Sequence, residues 1–340
     1  MGYKRIIINQ FGGRDVLEMV EEEKLPEPGP GEVRVKVLVT SAAFTDVMIR
    51  KGMYPEVKEN PPFALGYDLV GVVDKLGDGA IRFKIGQRVA DMTVIGAYAE
   101  YICLPEKRLT PVPDDLDPAE AVSMILTYVT AYQLLNRAAN VKDGGRIVVH
   151  GAGGAVGTAL LQLGRLMDLE MYGTASAAKQ DLVAALGATP IDYQSEDFAA
   201  RVPQTAGEGI DAAFDPIGGK NFKKSFSLLR KGGTLVAYGF YNAVTGRGGS
   251  IPLDFFRLKI WNMLPNGRSA MFYSIGALRQ KHPEWFSEDL DQLFDLLEKG
   301  KIKPIIAERM PLADVRRAHE LIENSRVQGK IVLTVSNTAA

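Results

Sequence analysis

Glycines at 151, 153, 154 and 157, set in HGAGGAVGTALLQL, are the residues whose spacing first suggests chemistry. They follow the β-branched run RIVV and open an apolar pattern with helical spacing. In such a strand-to-helix turn, one glycine makes the bend, a second admits a pyrophosphate to the backbone, and a third lets helix and strand approach. The helix N-terminus then attracts phosphate charge. A strict GxGxxG is absent, and the matching register is Ala152, Gly154 and Gly157. The turn as a whole, Gly151, Ala152, Gly153, Gly154, Ala155, Val156 and Gly157, is expected to cradle a dinucleotide; tight helix–strand packing is the competing use of such glycines.

About 20 residues on, a dinucleotide fold that grips a ribose 2′-hydroxyl carries an acid. Here no Asp or Glu occurs between Glu170 and Asp181. The second strand closes instead on Thr174 and Ser176, with Lys179 just beyond. A hydroxyl and a cation suit the charge of a 2′-phosphate, so NADPH is expected over NADH.

Strands and helices must alternate to hold such a turn, and they do. Candidate strands at Ile147–His150, Met171–Thr174, Thr189–Asp192, Asp211–Asp215 and Leu235–Gly239 are separated by amphipathic runs, among them GKNFKKSFSLLRKGG, predicting a doubly wound parallel sheet. Before it, EVRVKVLVT, DLVGVVDKLG, QRVADM and AYAEYICLP read as short strands of a β-rich domain. Asp117 and Pro118 signal a helix start, with the helix running to about Asn136. Beyond Pro265, two amphipathic helices and the strand GKIVLTV are expected to return to the first domain.

The 340 residues are long enough for two cores, and 46% hydrophobic with 24% charged residues reads as globular. A net charge of −1 argues against general binding to nucleic acid or anionic lipid. Cys103 is the only cysteine and there are three histidines, which excludes an intrachain disulfide, leaves few soft metal ligands and suits a reducing cytoplasm. The N-terminal MGYKRIIINQFGG lacks the apolar core of a secretion signal, and no stretch is apolar over a bilayer's thickness.

FGGRDVLEM, AAFTDVMIRKGMYP, PFALGYDLVGVV, VTAYQLL, HGAGGAVGTALLQL, FDPIGGK and GKIVL stand in the order and spacing of one family. Over nearly its whole length the chain resembles the zinc-free quinone oxidoreductase branch of the medium-chain dehydrogenase/reductase superfamily. That resemblance implies an α/β protein: a GroES-like β-barrel catalytic domain (1–120), a Rossmann NADP-binding domain (121–264) and a C-terminal return (265–340), with the active site between the domains and a homodimer as the common assembly. It implies that Asp46, Arg50 and Tyr54 belong to the active-site stretch, that Thr130 lies on the nicotinamide side, and that Tyr193 helps to hold the adenosine phosphate. Where zinc members carry a Cys and a His, this chain has Ala43 and Tyr67, and the four-cysteine lobe is missing. An asparagine common in the branch is Ala43, and a frequent tyrosine is Met48.

Without a metal, the cofactor must supply the hard step and the protein orients the acceptor and stabilises its developing oxyanion. Tyr54 is the first candidate for that oxygen, and Tyr67 the second. Either could instead be a packed aromatic, and Asp46 with Arg50 a structural pair. At the end of the fifth strand, Tyr238, Gly239 and Phe240 are expected to present backbone to the nicotinamide. Arg268 is offered for a phosphate, Phe272 and Tyr273 for an apolar wall, and Arg326 or Lys330 for the cofactor, with a solvated basic face as the alternative. Three functions follow: an NADPH-dependent quinone reductase, a reductase of the activated C=C bond of an enone, alkenal or unsaturated acid, or a non-catalytic nucleotide-binding protein.

Overall fold

The computed structural model describes residues 2–206 and 209–335, the side chains of 203–206 excepted. The chain divides into two compact units, Met1–Leu126 with Leu290–Ala340, and Thr127–Asp289.

The N-terminal segment supplies strands β1 (Tyr3–Ile8), β2 (Leu17–Glu22), β3 (Glu32–Ala42), β4 (Phe63–Ala64), β5 (Leu69–Leu76), β6 (Arg88–Asp91), β7 (Tyr101–Pro105) and β8 (Thr110–Pro111), with helices α1 (Phe44–Arg50) and α2 (Pro118–Ser123). On β3, Val33, Val35 and Val37 are buried while their neighbours are partly exposed, which is the period-2 pattern of a strand with one core face. They pack with Leu69, Val73, Phe83 and Leu104.

Asp117 caps α2 by accepting from Ala119 N at 2.8 Å and Glu120 N at 3.0 Å. Helical structure continues through α3 (Val129–Gln133) to Ala138, widened by π-turns on either side.

In the second unit β9 (Arg146–His150), β10 (Glu170–Ala175), β11 (Thr189–Asp192), β12 (Ile210–Asp215), β13 (Leu229–Ala237) and β14 (Ser269–Phe272) form one sheet in the order β11-β10-β9-β12-β13-β14, every pair parallel. The crossovers carry α4 (Ala155–Leu166), α5 (Gln180–Ala185), α6 (Phe198–Ala206), α7 (Lys220–Ser227), α8 (Tyr241–Val244) and α9 (Ile251–Trp261). The order reverses between β9 and β12, the switch point at which open α/β sheets hold ligands. Val148, Phe214, Leu235 and Val236 are fully buried, as a sheet covered on both faces requires.

Two details differ from the sequence reading. GKNFKKSFSLLRKGG is helical only to Ser227; Leu229–Gly233 already belongs to β13, and a register shift after the Ile210–Leu229 pair absorbs the turn at Gly232, whose φ is +83°. Ser269–Phe272, beyond the expected end of this domain at 264, pairs with β13 as a sixth strand.

After α10 (Ile275–Lys281) and α11 (Pro283–Glu298), the chain adds β15 (Ile306–Pro311), α12 (Val315–Glu323) and β16 (Lys330–Thr334) to the first unit. β16 pairs antiparallel with β3, as expected of a returning tail, and the sheet runs β15-β16-β3-β5-β6-β8 with β7 also on β3.

Candidate functional site

In the second unit, the turn is shaped by close backbone approach. A Cβ on Gly157 would overlap the Gly151 carbonyl oxygen and fall 2.6 Å from Ala152 Cα. Gly151 has φ +67°, a region where a side chain is strained. Gly154 caps α4 without any side-chain hydrogen bond, so the first N–H groups of this twelve-residue helix have no acceptor of their own, which is how a helix start receives a phosphate. Ala152 N donates to Thr174 O at 3.0 Å, tying the turn to the end of β10. The cradle therefore fits a dinucleotide pyrophosphate.

Lys179 reaches this turn. A Cβ on Gly153 would lie 2.7 Å from Lys179 Cδ, so the lysine's aliphatic stem crosses the glycine face. Burial pushes its ammonium below the usual lysine range. Ser176 and the exposed Tyr193 close β10 and β11, adjacent strand ends. Of the residues expected to hold the 2′-phosphate, Lys179 is the one whose side chain lies against the glycine turn.

The other residues expected to meet the cofactor from this unit have the following surroundings. The Thr174 side chain turns inward to His150, with Oγ1 2.9 Å from Nδ1. Phe240 and Phe272 stack on each other at 5.0 Å and join the sheet's apolar core, so their rings serve packing. Tyr273 is buried, donating to Gln133 Oε1 at 2.7 Å, and Gln133 in turn donates to Asp289. Tyr238 N bonds Asp215 O at 3.1 Å, and Gly239 packs against Pro216 at the same strand ends. Thr130 is buried on α3, and Arg268 is half-exposed just before β14.

In the first unit, Tyr54 and Tyr67 come together: their hydroxyls are 2.7 Å apart and their rings meet edge to face. Tyr67 is fully buried and Tyr54 only partly. Burial pushes both phenols above their ordinary range, with the nearby Glu56 charge adding to the effect on Tyr54. Both therefore stay protonated across neutral pH and remain hydrogen-bond donors.

Asp46 and Arg50 are buried on α1 but serve different partners. Asp46 Oδ2 accepts the Ala43 N–H at 2.8 Å, a carboxylate reaching back to its own helix start. Burial, and then the Asp68 charge, raise its carboxyl to about 7. Arg50 spends its guanidinium on α12 and the N-terminal loop: Nη2 bonds Glu323 Oε1 at 2.9 Å, Nη1 donates to His319 Nδ1 at 3.0 Å, and Nε donates to Gly12 O at 3.2 Å. That is a clamp between elements, not a contact for an acceptor. Burial, then the Arg50 charge, lower His319 to about 3, so it is neutral.

Lys330, offered above for the cofactor or a solvated face, is neither exposed nor solvated. It is 3% exposed, and its Nζ lies 3.6 Å from Asp68 Oδ2. A buried ammonium requires such a partner. Arg326 is exposed.

Among the described residues, no group of three or more His, Cys, Asp or Glu side chains is arranged to hold a metal. Ala43 cannot ligate, Tyr67 keeps its proton, and burial raises the Cys103 thiol to about 11, away from the thiolate that zinc takes. No helix among these residues is long and apolar enough to cross a membrane.

Two family models match the chain. One, described as an alcohol dehydrogenase GroES-like domain, covers residues 29–114, and one described as a zinc-binding dehydrogenase covers 186–333. A quinone oxidoreductase of Homo sapiens is 31% identical over 337 residues, 97% of either chain. A synaptic vesicle membrane protein VAT-1 homolog of Rattus norvegicus is 30% identical over 339 residues, 96% of this chain and 83% of that protein. The solved quinone oxidoreductase of Escherichia coli, complexed with NADPH, superposes with a TM-score of 0.87 at 27% identity, covering 97% of this chain and 99% of that one.

Proposed function

Because the chain belongs to the medium-chain dehydrogenase/reductase superfamily, in its quinone oxidoreductase-like branch, we propose that it is an NADPH-dependent reductase that passes hydride to a quinone without zinc. The observation that carries this reading is the stem of Lys179 lying across Gly153: it brings a cation to the nucleotide turn of a strand that ends without an acid. When bound, NADPH supplies the hydride.

The chain's own residues do the rest. The N–H groups that open α4 take the pyrophosphate, and Lys179 with Ser176 takes the 2′-phosphate. Tyr54 Oη donates to the acceptor oxygen as negative charge develops there, while Tyr67 holds that hydroxyl in place. A carbonyl polarised in this way belongs to a quinone or an enone alike. Turnover of phenanthrenequinone against that of a simple enone, followed by loss of NADPH absorbance, separates the two. Faster reduction of the quinone supports the proposal; reduction of the enone alone overturns it.

We extend the proposal to a cytoplasmic homodimer. Leu253, Phe256, Ile260, Met263 and Leu264 follow helical spacing from α9, all exposed, with Phe256 at 60% and Met263 at 81%. An apolar stripe of this kind beside the edge strand β14 suits a second copy of the chain. Light scattering behind a sizing column tests it: a dimer is expected, and a monomer at micromolar concentration contradicts it.

A further inference from the structure

His150 is the last residue of β9, directly before Gly151, and it is buried with both ring nitrogens in use. Nδ1 is 2.9 Å from Thr174 Oγ1, and Nε2 is 2.9 Å from Ser225 Oγ. Ser225 Oγ donates to Asp215 Oδ2 at 2.8 Å. A serine hydroxyl has one proton, so with that proton on Asp215 it can only accept from His150. The proton of the neutral ring therefore stands on Nε2, Nδ1 accepts from Thr174, and all three bonds point the same way, ending on the carboxylate.

The members of this chain sit where the nucleotide turn is held. His150 and Thr174 are register partners at the ends of β9 and β10. Asp215 ends β12, and its other bonds, from Asn221 Nδ2 at 2.8 Å and Ile217 N at 2.8 Å, shape the loop that follows. Ser225 and Asn221, one turn apart on α7, share that carboxylate. An apolar residue at 150 would pack as well, but would fix none of these spacings.

We infer that His150 is a positioning residue for the cofactor site, fixing from inside the sheet the separation of the β9, β10 and β12 ends, the first two of which lead into Gly151–Gly157 and Ser176. The inference rests on the NADPH reading above. It assigns a role to a buried residue whose two ring nitrogens are both engaged with protein side chains.

The test is calorimetric titration of NADPH into the full chain and its variants, with the melting temperature of the cofactor-free protein measured alongside. His150→Leu is expected to fold but melt somewhat below wild type, since the buried Thr174 hydroxyl loses its partner, and to bind NADPH about ten- to a hundredfold more weakly at a temperature where both proteins are fully folded. His150→Gln, whose amide keeps a donor toward Ser225, is expected to recover most of the affinity. In wild type, ¹⁵N shifts of the His150 ring should report the Nε2–H tautomer and stay fixed across neutral pH.

Unchanged NADPH affinity in His150→Leu overturns the inference, as does an Nδ1–H tautomer. Should His150→Leu not fold, Thr174→Val carries the test: it removes only the bond to Nδ1, and equal affinity there overturns the inference as well. Wild-type protein that binds no NADPH fails the functional reading itself, a result distinct from wild type and variants binding alike.

Discussion

Tyr54 and Tyr67 share a single hydrogen bond between hydroxyls 2.7 Å apart, with Tyr67 buried beneath the more exposed Tyr54. One of the two protons is used within the pair. With the buried Tyr67 hydroxyl donating outward to Tyr54, Tyr54 keeps its own proton for an acceptor. Tyr54→Phe should therefore lower kcat/KM for a quinone by about ten- to a hundredfold, the range between a neutral hydrogen bond and an oxyanion donor, with NADPH affinity unchanged. Tyr67→Phe should cost less, because it loosens the donor without removing it. Steady-state kinetics on both variants checks the order, and a larger loss in Tyr67→Phe contradicts it.

Asp46 makes stability depend on pH. Its carboxyl is raised from the ordinary 3.8 to about 7, so between those values the folded protein holds a proton that the unfolded chain has released. Stability from this group is then full below the unfolded value and falls as pH rises through the folded one, by at most about 4 kcal/mol at 1.36 kcal/mol per unit. Asp46→Asn, a neutral mimic that still accepts from Ala43 N, should be more stable than wild type by a clearly larger margin at pH 8 than at pH 5. Denaturant unfolding at both values decides it, and parallel losses in the two proteins contradict the assignment.

Lys179→Ala should weaken NADPH by about 1.5 to 3 kcal/mol, the value of a charge-assisted contact, and leave NADH nearly unaffected. Separate titrations with the two cofactors measure this difference. Equal weakening of both would place Lys179 away from the 2′-phosphate.

The glycines separate into two kinds. Gly157→Ala drives a Cβ into the Gly151 and Ala152 backbone, so both melting temperature and NADPH affinity should fall, with strain of about 1 to 3 kcal/mol. Gly154 has an ordinary φ of −90°, and an added Cβ meets only Gly151 O at 3.2 Å. Gly154→Ala should melt nearly as wild type yet bind NADPH poorly, because the side chain stands where the pyrophosphate approaches. Thermal melts paired with titrations distinguish the two patterns.

The parallel sheet was legible because fully buried strands read as short β-branched runs between amphipathic helices. The end of α7 was not, since LLRKGG continues an apolar helical stripe and only the pairing of Leu229 with Ile210 makes it a strand. The face that Thr174 takes was not legible, because MYGTA shows no polar–apolar alternation and every residue of β10 after Glu170 is buried. His150 carried a signal, a polar ring closing RIVVH, that its buried partners explain. Arg50 and Lys330 were illegible for a different reason: their partners His319, Glu323 and Asp68 lie hundreds of residues away in the chain. Such pairs are set by the return of β16 onto β3, which local pattern does not encode.

The central claim is that this chain reduces its acceptor with hydride from NADPH and needs no bound metal. The direct measurement is a single turnover with nicotinamide-deuterated NADPH and phenanthrenequinone, using protein stripped by a strong chelator and assayed for zinc. The account predicts one NADPH consumed per quinone reduced, a primary isotope effect on that step, and a rate unchanged by adding zinc. A rate that appears only with zinc restored, or no NADPH consumption with any quinone or enone, would contradict it.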